Sequence, residues 1–409
     1  MNPLTNCCSK RLVQALLVLL GTLAFEAANA AAGGTVVLVS MDGVRHDLLD
    51  GAPLPALQRM QREGARAERL IPVYPSNTFP GHVSIATGTW PDVHGVIDNH
   101  FEDAERGVYR YEDDAEWIKA EPLWAAAERQ GLPAAAYFWI GSETDWNGIS
   151  ARHRVSPFDP SRPEAEKVQQ MLRWLRLPQA QRPRLIMSYW AGVDSVAHRT
   201  GPADPAVVEQ LRLQDAALRQ LLAGIDAMQM WPTLTLVVVS DHGMTATGEL
   251  IDAAAVLADA GVKARVLGSA VANVYLEDAQ DLETAATALA ILKNVSVHRR
   301  DEVPAAWRLR HEGRTGDLVV TTAPPYVLTP PSNPLCALIP RRCLSPGGHG
   351  YPPDHPHMGG ILLALGRGVE VGARLPAVHQ IDIAATVARL LNIAPPAQSE
   401  GTPIAGIGG

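Results

Sequence analysis

The chain alternates between short apolar runs and longer segments whose apolar residues recur at helical spacing. Three of the apolar runs consist mostly of β-branched, aliphatic and aromatic residues and end in an aspartate, at residues 35–42, 185–194 and 234–241. Such runs are typical of strands buried on both faces of a sheet. Because the carboxyl ends of parallel strands meet at one edge of a sheet, we expect the three carboxylates to lie together there.

The same pattern predicts the order of the main elements. The predicted strands cover residues 35–41, 133–139, 185–189, 234–240 and 361–365. The predicted helices cover residues 54–63, 79–87, 123–129, 163–175, 205–228 and 381–391. Asn77 or Thr78 is expected to cap the second of these helices. This alternation predicts an α/β fold, a doubly wound and mainly parallel sheet with helices on both faces.

The alternation stops after Met244. Residues 245–345 contain two short predicted strands (271–276 and 317–321), a helix near 282–292 and many prolines. We interpret this segment as a small inserted α+β subdomain or cap. The catalytic domain would then consist of residues 31–244 and be completed by residues 346–409, an arrangement that suits a chain longer than a usual single domain.

The first thirty residues have the features of a secretory signal peptide. A short basic segment precedes an apolar run over 12–25, and an Ala-Asn-Ala sequence ends at Ala30. We expect cleavage near Ala30, a periplasmic or secreted protein, and no membrane span in the mature chain; an uncleaved anchor is the alternative, although the run is short for a bilayer. Export would leave Cys336 and Cys343, which we interpret as one disulfide bond rather than as metal ligands.

Composition and charge narrow the range of functions. Apolar residues make up 47% of the chain and charged residues 19%, which suits a globular protein with a large core. The formal net charge of −8 argues against broad binding to the phosphate backbone of a nucleic acid. A divalent metal ion could still hold an anionic small molecule, because its charge outweighs that of a distant surface.

Histidines accompany two of the three aspartates. Asp194 and His198 are four residues apart, a spacing that puts both side chains on one face of a helix. His242 follows Asp241 directly, and His349 lies between glycines that leave room for an ion. One aspartate after a strand is more often a helix cap, and one histidine is more often structural. Their joint occurrence indicates a site for Zn, Mn or Fe with oxygen and nitrogen ligands.

Thr78 is the candidate nucleophile. It lies in a Pro-Ser-Asn-Thr-Phe-Pro segment at the expected start of a helix, where a plain capping role is the alternative. A hydroxyl bound to a divalent metal deprotonates more readily than a free one. The start of a helix also offers backbone N–H groups and a dipole that favour a developing anion.

These segments, in their order, resemble the nucleotide pyrophosphatase/phosphodiesterase family of the alkaline phosphatase superfamily. The resemblance is carried by Ser-Met-Asp-Gly-Val-Arg at 40–45, Pro-Val-Tyr-Pro-Ser-Asn-Thr-Phe-Pro at 72–80, His-Gly-Val-Ile-Asp-Asn at 94–99, Asp-Ser-Val-Ala-His-Arg-Thr-Gly-Pro at 194–202, Ser-Asp-His-Gly-Met at 240–244 and Gly-His-Gly-Tyr at 348–351. It covers nearly all of the chain after residue 30. Together with the signal segment, it favours an exported bacterial member.

The resemblance implies two zinc ions per chain. One ion would be held by Asp42, Asp241, His242 and the Thr78 oxygen, and the other by Asp194, His198 and His349. Thr78 would attack phosphorus in line and form a phosphothreonine, while the second ion assists the leaving oxygen and later activates water. Asn99 and the backbone N–H of Thr78 would bind a non-bridging phosphate oxygen.

The resemblance also bears on the substrate. Phe79 matches the aromatic residue that stacks on the base in nucleotide-cleaving members, and Phe158 is the expected second side of that stack, with ordinary packing as its alternative. We therefore predict a monomeric, metal-dependent phosphodiesterase or nucleotide pyrophosphatase that releases nucleoside 5′-monophosphates.

Other functions are also compatible with the sequence. A phosphomonoesterase, a phosphonate hydrolase or a lipid phosphodiesterase of the same superfamily would share the metal site. A non-catalytic binding protein is disfavoured by the intact set of ligands. The remaining histidines are expected to be structural, with His355 or His357 as a reserve metal ligand.

Overall fold

The structure is a computed structural model that describes residues 34–112, 114–328 and 344–408. The predicted signal peptide and the Cys336–Cys343 pair lie outside these residues. Within them, none of the helices combines the length and the apolar character needed to cross a bilayer.

An eight-stranded sheet forms the centre of the fold. Its strands are β1 (Thr35–Met41), β2 (Ala65–Ala67), β3 (Ala134–Tyr137), β4 (His153–Val155), β5 (Leu185–Trp190), β6 (Leu234–Val239), β7 (Leu362–Gly366) and β8 (Ala373–Leu375). Their order across the sheet is β8-β2-β7-β6-β1-β5-β3-β4. Neighbours run parallel except where β7 pairs with β2 and β6, so the predicted mainly parallel α/β sheet is confirmed.

The direction of β7 has a simple physical origin. The backbone N–H of Ser240, just after β6, donates to the carbonyl of Ile361, just before β7, at 3.0 Å. The chain therefore returns to the sheet at the edge where β6 ends. A Cβ on Gly360 would lie 2.4 Å from the Ser240 carbonyl oxygen, so glycine permits this close approach. A strand that begins at this edge must run against β6.

Helices cover both faces of this sheet. They are α1 (Pro55–Glu63), α2 (Thr78–Thr87), α3 (Leu123–Arg129), α4 (Glu164–Leu175), α5 (Gly192–Thr200), α6 (Pro205–Ala227) and α7 (Asp382–Leu391). Alternate residues of β1 point to opposite faces. Val36 and Leu38 belong to the core that contains residues of α2, α3 and α7, whereas Val37 and Val39 belong to the core that contains residues of α1, α4 and α6.

The inserted segment has a sheet and an apolar cluster of its own. Its four antiparallel strands, in spatial order, are Ala264–Gly268, Val271–Leu276, Leu318–Thr322 and Val295–Arg299. Helices Ala253–Asp259 and Leu282–Ala290 accompany this sheet, and a separate cluster includes Leu257, Val274 and Leu289. The division of the chain into a catalytic domain and a subdomain over 245–345 remains an interpretation.

Short elements complete the fold. Two-stranded pairs join Leu70–Ile71 to Val378–His379, His100–Asp103 to Gly107–Arg110, Thr245–Ala246 to Gly347–Gly348, and Glu249–Leu250 to Tyr326–Val327. Pro91–His94 is a single α-helical turn, and 3₁₀ turns cover His46–Asp50, Ala115–Trp117, Ala279–Asp281, Arg300–Glu302 and Ala305–Trp307.

Arg314 joins the inserted segment to the rest of the chain. Its fully buried side chain donates from Nε to Asp103 Oδ2 at 2.7 Å. Nη1 donates to the carbonyls of Gly95 and Trp117 at 2.5 and 2.9 Å. The guanidinium also lies over the ring of Phe101, with its carbon 5.2 Å from the ring centroid.

We expect Arg314→Ala to lower the free energy of unfolding by about 3–5 kcal/mol, because it leaves a mostly buried carboxylate and two carbonyls without their donor. Arg265→Ala is the matched control. Arg265 pairs with Glu102 on the same short strand at 2.7 Å, but its side chain is 51% exposed, so its loss should cost under about 1 kcal/mol. Urea unfolding followed by tryptophan fluorescence measures both; equal losses would contradict the structural role of Arg314.

Candidate metal centre

The three predicted aspartates lie at one edge of the central sheet. Asp42 directly follows β1, and Asp241 lies just beyond the end of β6. The prediction that Asp194 ends a strand is wrong, because β5 ends at Trp190 and Asp194 lies in the first turn of α5. The backbone N–H of Asp194 donates to the Asp42 carbonyl at 3.2 Å, which fastens the start of α5 to the end of β1.

A glycine makes this contact possible. Gly43 has a φ of +70°, and a Cβ there would lie 2.9 Å from both the Cα and the Cβ of Asp194. Any side chain would therefore be strained and would push α5 away from β1. Gly43 also donates its N–H to Asp241 Oδ1 at 3.3 Å, so one residue positions two carboxylates.

One group of candidate ligands surrounds His242. Its Nε2 lies 3.1 Å from Asp241 Oδ2, 3.5 Å from Asp42 Oδ1 and 3.1 Å from Thr78 Oγ1. All four residues are buried, with Thr78 the most exposed at 8%. The structure therefore brings together the four residues that the family resemblance assigns to one ion.

The second group adjoins the first. His198 Nε2 lies 3.3 Å from Asp194 Oδ1 and 3.1 Å from His349 Nε2. Asp194 and His198 share one face of α5, as their spacing predicts. The rings of His242 and His349 are stacked, with centroids 3.7 Å apart, so the two groups are in direct contact.

The tautomers of the three histidines suit metal binding. Each Nδ1 lies beside a backbone carbonyl oxygen, and since a carbonyl can only accept, Nδ1 carries the proton. The distances are 2.9 Å from His198 to Gly347, 2.9 Å from His242 to Gly243 and 3.0 Å from His349 to Ser76. Each Nε2 then presents its lone pair to the site, which is the usual arrangement of metal-ligating histidines.

The carboxylates also fit a metal centre. Within the part of the chain that the structure describes, Asp42 Oδ1, Asp194 Oδ1 and Asp241 Oδ2 are buried without a hydrogen bond. Burial, with the charges of Asp241 and Asp194, raises the pKa of Asp42 well above its usual range. A cluster of buried carboxylates is costly unless cations neutralise it. Ligand atoms lie within 4.8 Å of one another in two groups, Asp42–Asp194–His242 and Asp194–His198–His349.

Asn77 is the N-cap residue of α2, and Thr78 is its first residue. The Asn77 side chain does not cap the helix. It accepts from His349 Nδ1 at 2.8 Å and donates to Asp98 Oδ1 at 2.7 Å. Asn99 Oδ1 accepts from the Phe79 N–H at 2.9 Å, which fastens the Asn99 side chain to the start of α2.

The sequence analysis missed two residues that contact the carboxylates. Tyr189, near the end of β5, donates from its hydroxyl to Asp42 Oδ2 at 2.6 Å. His82 is fully buried on α2, with Nδ1 2.8 Å from the Thr78 carbonyl and 3.4 Å from Asp241 Oδ2. A polar residue near the end of an apolar run was the available signal for Tyr189. His82 lies four residues after Thr78, a spacing that puts both on one helix face.

The two histidines considered as reserve metal ligands, His355 and His357, lie outside both groups of candidate ligands. His357 Nδ1 lies 3.1 Å from Thr245 Oγ1, and His355 packs at an angle against His357. Among the described residues, neither histidine belongs to a group that could hold a metal ion.

Phe79 and Phe158 line a single cavity of about 280 Å³, called here the aromatic cavity, together with Thr78 and Asn99. Phe79 is 7% exposed, whereas Phe158 is 37% exposed. The ring of Phe158 lies 5.9 Å from that of Tyr189, measured between centroids. Both predicted aromatic residues therefore reach the same space as the candidate nucleophile.

Residues 36–352 match the protein family described as type I phosphodiesterase/nucleotide pyrophosphatase. The chain belongs to this family. The family resemblance stated from the sequence motifs is therefore confirmed.

Relatives of the chain differ in their sequence identity to it and in the length over which they match it. Human ectonucleotide pyrophosphatase/phosphodiesterase family member 1 is 34% identical over 215 residues, which are 51% of this chain but only 23% of the human protein. An uncharacterised pyrophosphatase/phosphodiesterase of Schizosaccharomyces pombe is 28% identical over 89% of this chain and 78% of its own length. The murine ectonucleotide pyrophosphatase/phosphodiesterase 5 structure has the same fold, with a TM-score of 0.81 at 23% identity, over 88% of this chain and 96% of the murine chain.

We expect the purified protein to contain about two zinc ions per chain and His349→Ala to contain about one, because the second group loses one of three ligands. Elemental analysis by plasma mass spectrometry measures this without any assay of activity. His357→Ala is the control, since it removes a nearby histidine outside both groups and should leave the metal content unchanged. Equal metal content in all three proteins would refute the ligand assignment of His349.

Proposed function

We propose that the chain is a metal-dependent phosphodiesterase/nucleotide pyrophosphatase. It would hydrolyse phosphodiester or phosphoanhydride bonds and release nucleoside 5′-monophosphates. The observation that carries the proposal is the position of Thr78 Oγ1, which lies 3.1 Å from His242 Nε2 in the wall of the aromatic cavity. A hydroxyl at the start of a helix, beside candidate metal ligands and an aromatic cavity, suits phosphoryl transfer.

The proposal includes two zinc ions, one held by Asp42, Asp241, His242 and Thr78, and one held by Asp194, His198 and His349. When bound, such ions lower the pKa of a coordinated hydroxyl and stabilise charge on the attacking and leaving oxygens. Tyr189 is a positioning residue in this proposal, because its hydroxyl donates to Asp42. His82 contacts Asp241 at 3.4 Å. A neutral His349 suits this role, and its pKa lies well below the usual range because of burial and the neighbouring His242 and His198.

Thr78 performs the first chemical step. Its oxygen forms a bond to phosphorus as the bond to the leaving oxygen breaks, which gives a phosphothreonine. Water then attacks phosphorus, releases the nucleoside monophosphate and restores the hydroxyl. Asn99 and the backbone N–H of Thr78 would bind a non-bridging oxygen, where charge develops in the transition state.

Phe79 and Phe158 would hold the nucleoside by stacking on its base. A further murine structure of ectonucleotide pyrophosphatase/phosphodiesterase 5 contains AMP in an inactive threonine-to-alanine variant. AMP is a nucleoside 5′-monophosphate, the product class proposed here. Some relatives are described as ectonucleotide or venom phosphodiesterases, which agrees with the proposal that the protein is exported. The monomeric state is a prediction.

Thr78→Ala should lower kcat/KM for p-nitrophenyl thymidine 5′-monophosphate by about 10³-fold or more, because it removes the nucleophile. Thr78→Ser should keep measurable activity. Thr87→Ala changes the threonine at the other end of the same helix, where the hydroxyl donates to the Val83 carbonyl at 2.8 Å. Its kcat/KM should stay within about twofold of that of the original protein.

Acid quenching during turnover with phosphorus-labelled substrate, followed by peptide mass analysis, should locate the phosphoryl group on Thr78. Full activity of Thr78→Ala at unchanged metal content would end the nucleophile assignment. Faster hydrolysis of p-nitrophenyl phosphate than of the thymidine ester would favour a phosphomonoesterase instead.

The nucleoside assignment has a separate test. Phe79→Ala and Phe158→Ala should each lower kcat/KM for the thymidine ester by about tenfold, since base stacking contributes roughly 1–3 kcal/mol. Methyl p-nitrophenyl phosphate, which carries no base, should lose much less. Equal losses on both substrates would mean that these rings only support the fold, and the nucleotide proposal would give way to another diester.

A further inference from the structure

Asp98 is a buried carboxylate that belongs to neither group of candidate metal ligands. It is 2% exposed and lies between the helical turn Pro91–His94 and the strand His100–Asp103. One of its oxygens, Oδ1, accepts from the Asn77 side chain at 2.7 Å and from the Asn99 backbone N–H at 2.6 Å. Asp98 therefore links the start of α2 to the loop that carries Asn99.

The Asn77 side chain makes this contact in place of a helix cap. Asparagine is among the residues most favoured at an N-cap, because its side-chain oxygen can accept from the first turn of the helix. Asn77 is the N-cap residue of α2, yet its side chain makes no capping bond. It bonds to Asp98 Oδ1 and to His349 Nδ1 instead, at 2.7 and 2.8 Å. A capping residue that bonds elsewhere indicates a role in the site.

The charge on Asp98 sets the direction of both hydrogen bonds. An ionised carboxylate can only accept, so the Asn77 amide nitrogen faces Asp98 and the Asn77 oxygen faces His349. That oxygen can also only accept, so the proton of the His349 ring lies on Nδ1. Nε2 keeps its lone pair and faces His198 Nε2 at 3.1 Å. We call this series of contacts, from Asp98 through Asn77 to His349, the hydrogen-bond relay.

A second acceptor contacts His349 Nδ1, but it is shared. The Ser76 carbonyl lies 3.0 Å from this nitrogen and also accepts from the Gly350 N–H at 3.0 Å. Gly350 has a φ of +91°, and a Cβ there would lie 2.6 Å from Asn77 Oδ1, so glycine lets the segment that carries His349 pass against Asn77. Because Ser76 also contacts the ring, loss of Asp98 should weaken metal binding rather than abolish it.

The electrostatics of Asp98 fit such a role. Burial raises the pKa of Asp98 to about 7, and the hydrogen bonds from Asn99 and Asn77 oppose the rise. The carboxyl is therefore mostly ionised at pH 8. A hydrogen-bonded carboxylate behind a metal-binding histidine orients the ring and makes the ligating nitrogen more basic.

We propose that Asp98 is a positioning residue for the second group of candidate ligands and orients His349 through Asn77. The inference rests on the proposed function, because it takes Asp194, His198 and His349 to hold one of the two zinc ions. Asp98 contacts neither the ion nor the substrate in this proposal. Its effect is on the affinity of one of the two metal sites.

Transfer of zinc from the loaded protein to a chromophoric chelator at pH 8 measures the affinity of each site. Asp98→Ala should lower the affinity of one site by about 10- to 100-fold and leave the other within about twofold, as expected for a group behind a metal ligand. Asn77→Ala interrupts the relay at another residue and should weaken the same site. Asp98→Asn keeps an acceptor oxygen in the same place and should recover part of the affinity.

A double substitution tests whether the effect passes through His349. In a protein that already carries His349→Ala, Asp98→Ala should lower the affinity of the remaining site by no more than about twofold, because the relay ends at His349. A large further loss would mean that Asp98 acts by another route and would overturn the proposal.

Asp215→Ala is the matched control. Asp215 is also buried, at 3% exposure, and accepts from the backbone N–H groups of Ala56 and Leu57 at 3.2 and 2.9 Å. Its loss should lower stability but leave both zinc affinities unchanged. An equal loss of affinity in Asp215→Ala would overturn the proposal. Unchanged affinities in Asp98→Ala would do the same, and Asn77→Ala decides in its place if Asp98→Ala does not fold.

Hydrolysis of p-nitrophenyl thymidine 5′-monophosphate by the unaltered protein is measured in parallel. A protein that holds two zinc ions but does not hydrolyse this ester would refute the proposed function, while the zinc affinities of the variants would still decide the role of Asp98. An unaltered protein that binds no zinc would overturn both.

Discussion

The repulsion among three neighbouring carboxylates, two buried and one partly buried, is the constraint on which the site depends. Asp42 and Asp241 lie just beyond the apolar strands of the central sheet, and Asp194 lies at the start of a helix fastened to one of them. The apolar strands fix where these groups lie, so the chain cannot relieve the repulsion by moving them to solvent. Ligands that bind only the folded state increase its stability. Divalent cations at this edge would therefore stabilise the sheet as well as supply chemistry, and the polar contacts from Tyr189 and Gly43 reduce the remaining cost.

The inserted segment interrupts the chain without separating the ligands. Thr245–Ala246 pairs with Gly347–Gly348, so the two ends of the segment meet beside the metal centre. The Gly347 carbonyl accepts from His198 Nδ1, and a Cβ on Gly347 would lie 2.3 Å from the Ala197 carbonyl oxygen. Glycine at this point lets the returning strand approach α5 closely enough to orient one candidate ligand and deliver the next, His349. Candidate ligands that are far apart in the sequence can therefore lie together, because this short strand pair brings the two ends of the inserted segment next to each other.

The sequence predicted the parts of the structure that depend on local pattern. Continuous apolar runs identified β1, β5 and β6, and helical spacing identified the shared face of Asp194 and His198. The prediction that a strand ends at Asp194 was wrong, because the apolar run continues beyond Trp190, where the strand ends. The direction of β7 depends on where a distant segment returns, and the roles of His82 and Tyr189 depend on packing between elements far apart in the chain. Tertiary contacts set these features, so the local pattern of the sequence alone does not predict them.

Two cavities adjoin the metal centre, and different parts of the chain line them. The aromatic cavity is lined by residues that precede the inserted segment, together with His349 from beyond it. A second cavity of about 530 Å³ is also lined by His349, and Val266, Ser269 and Val327 of the inserted segment help to line it. The candidate metal ligands His198 and His349 line both cavities. In the proposed reaction the candidate ligands touch only the phosphoryl group, so they would not distinguish one nucleotide from another. In the proposed reaction, discrimination between substrates would come from the side chains that line the cavities, among them Phe79 and Phe158. Substitutions there would change the substrate while Asp42, Asp194 and Asp241 keep their positions at the edge of the sheet.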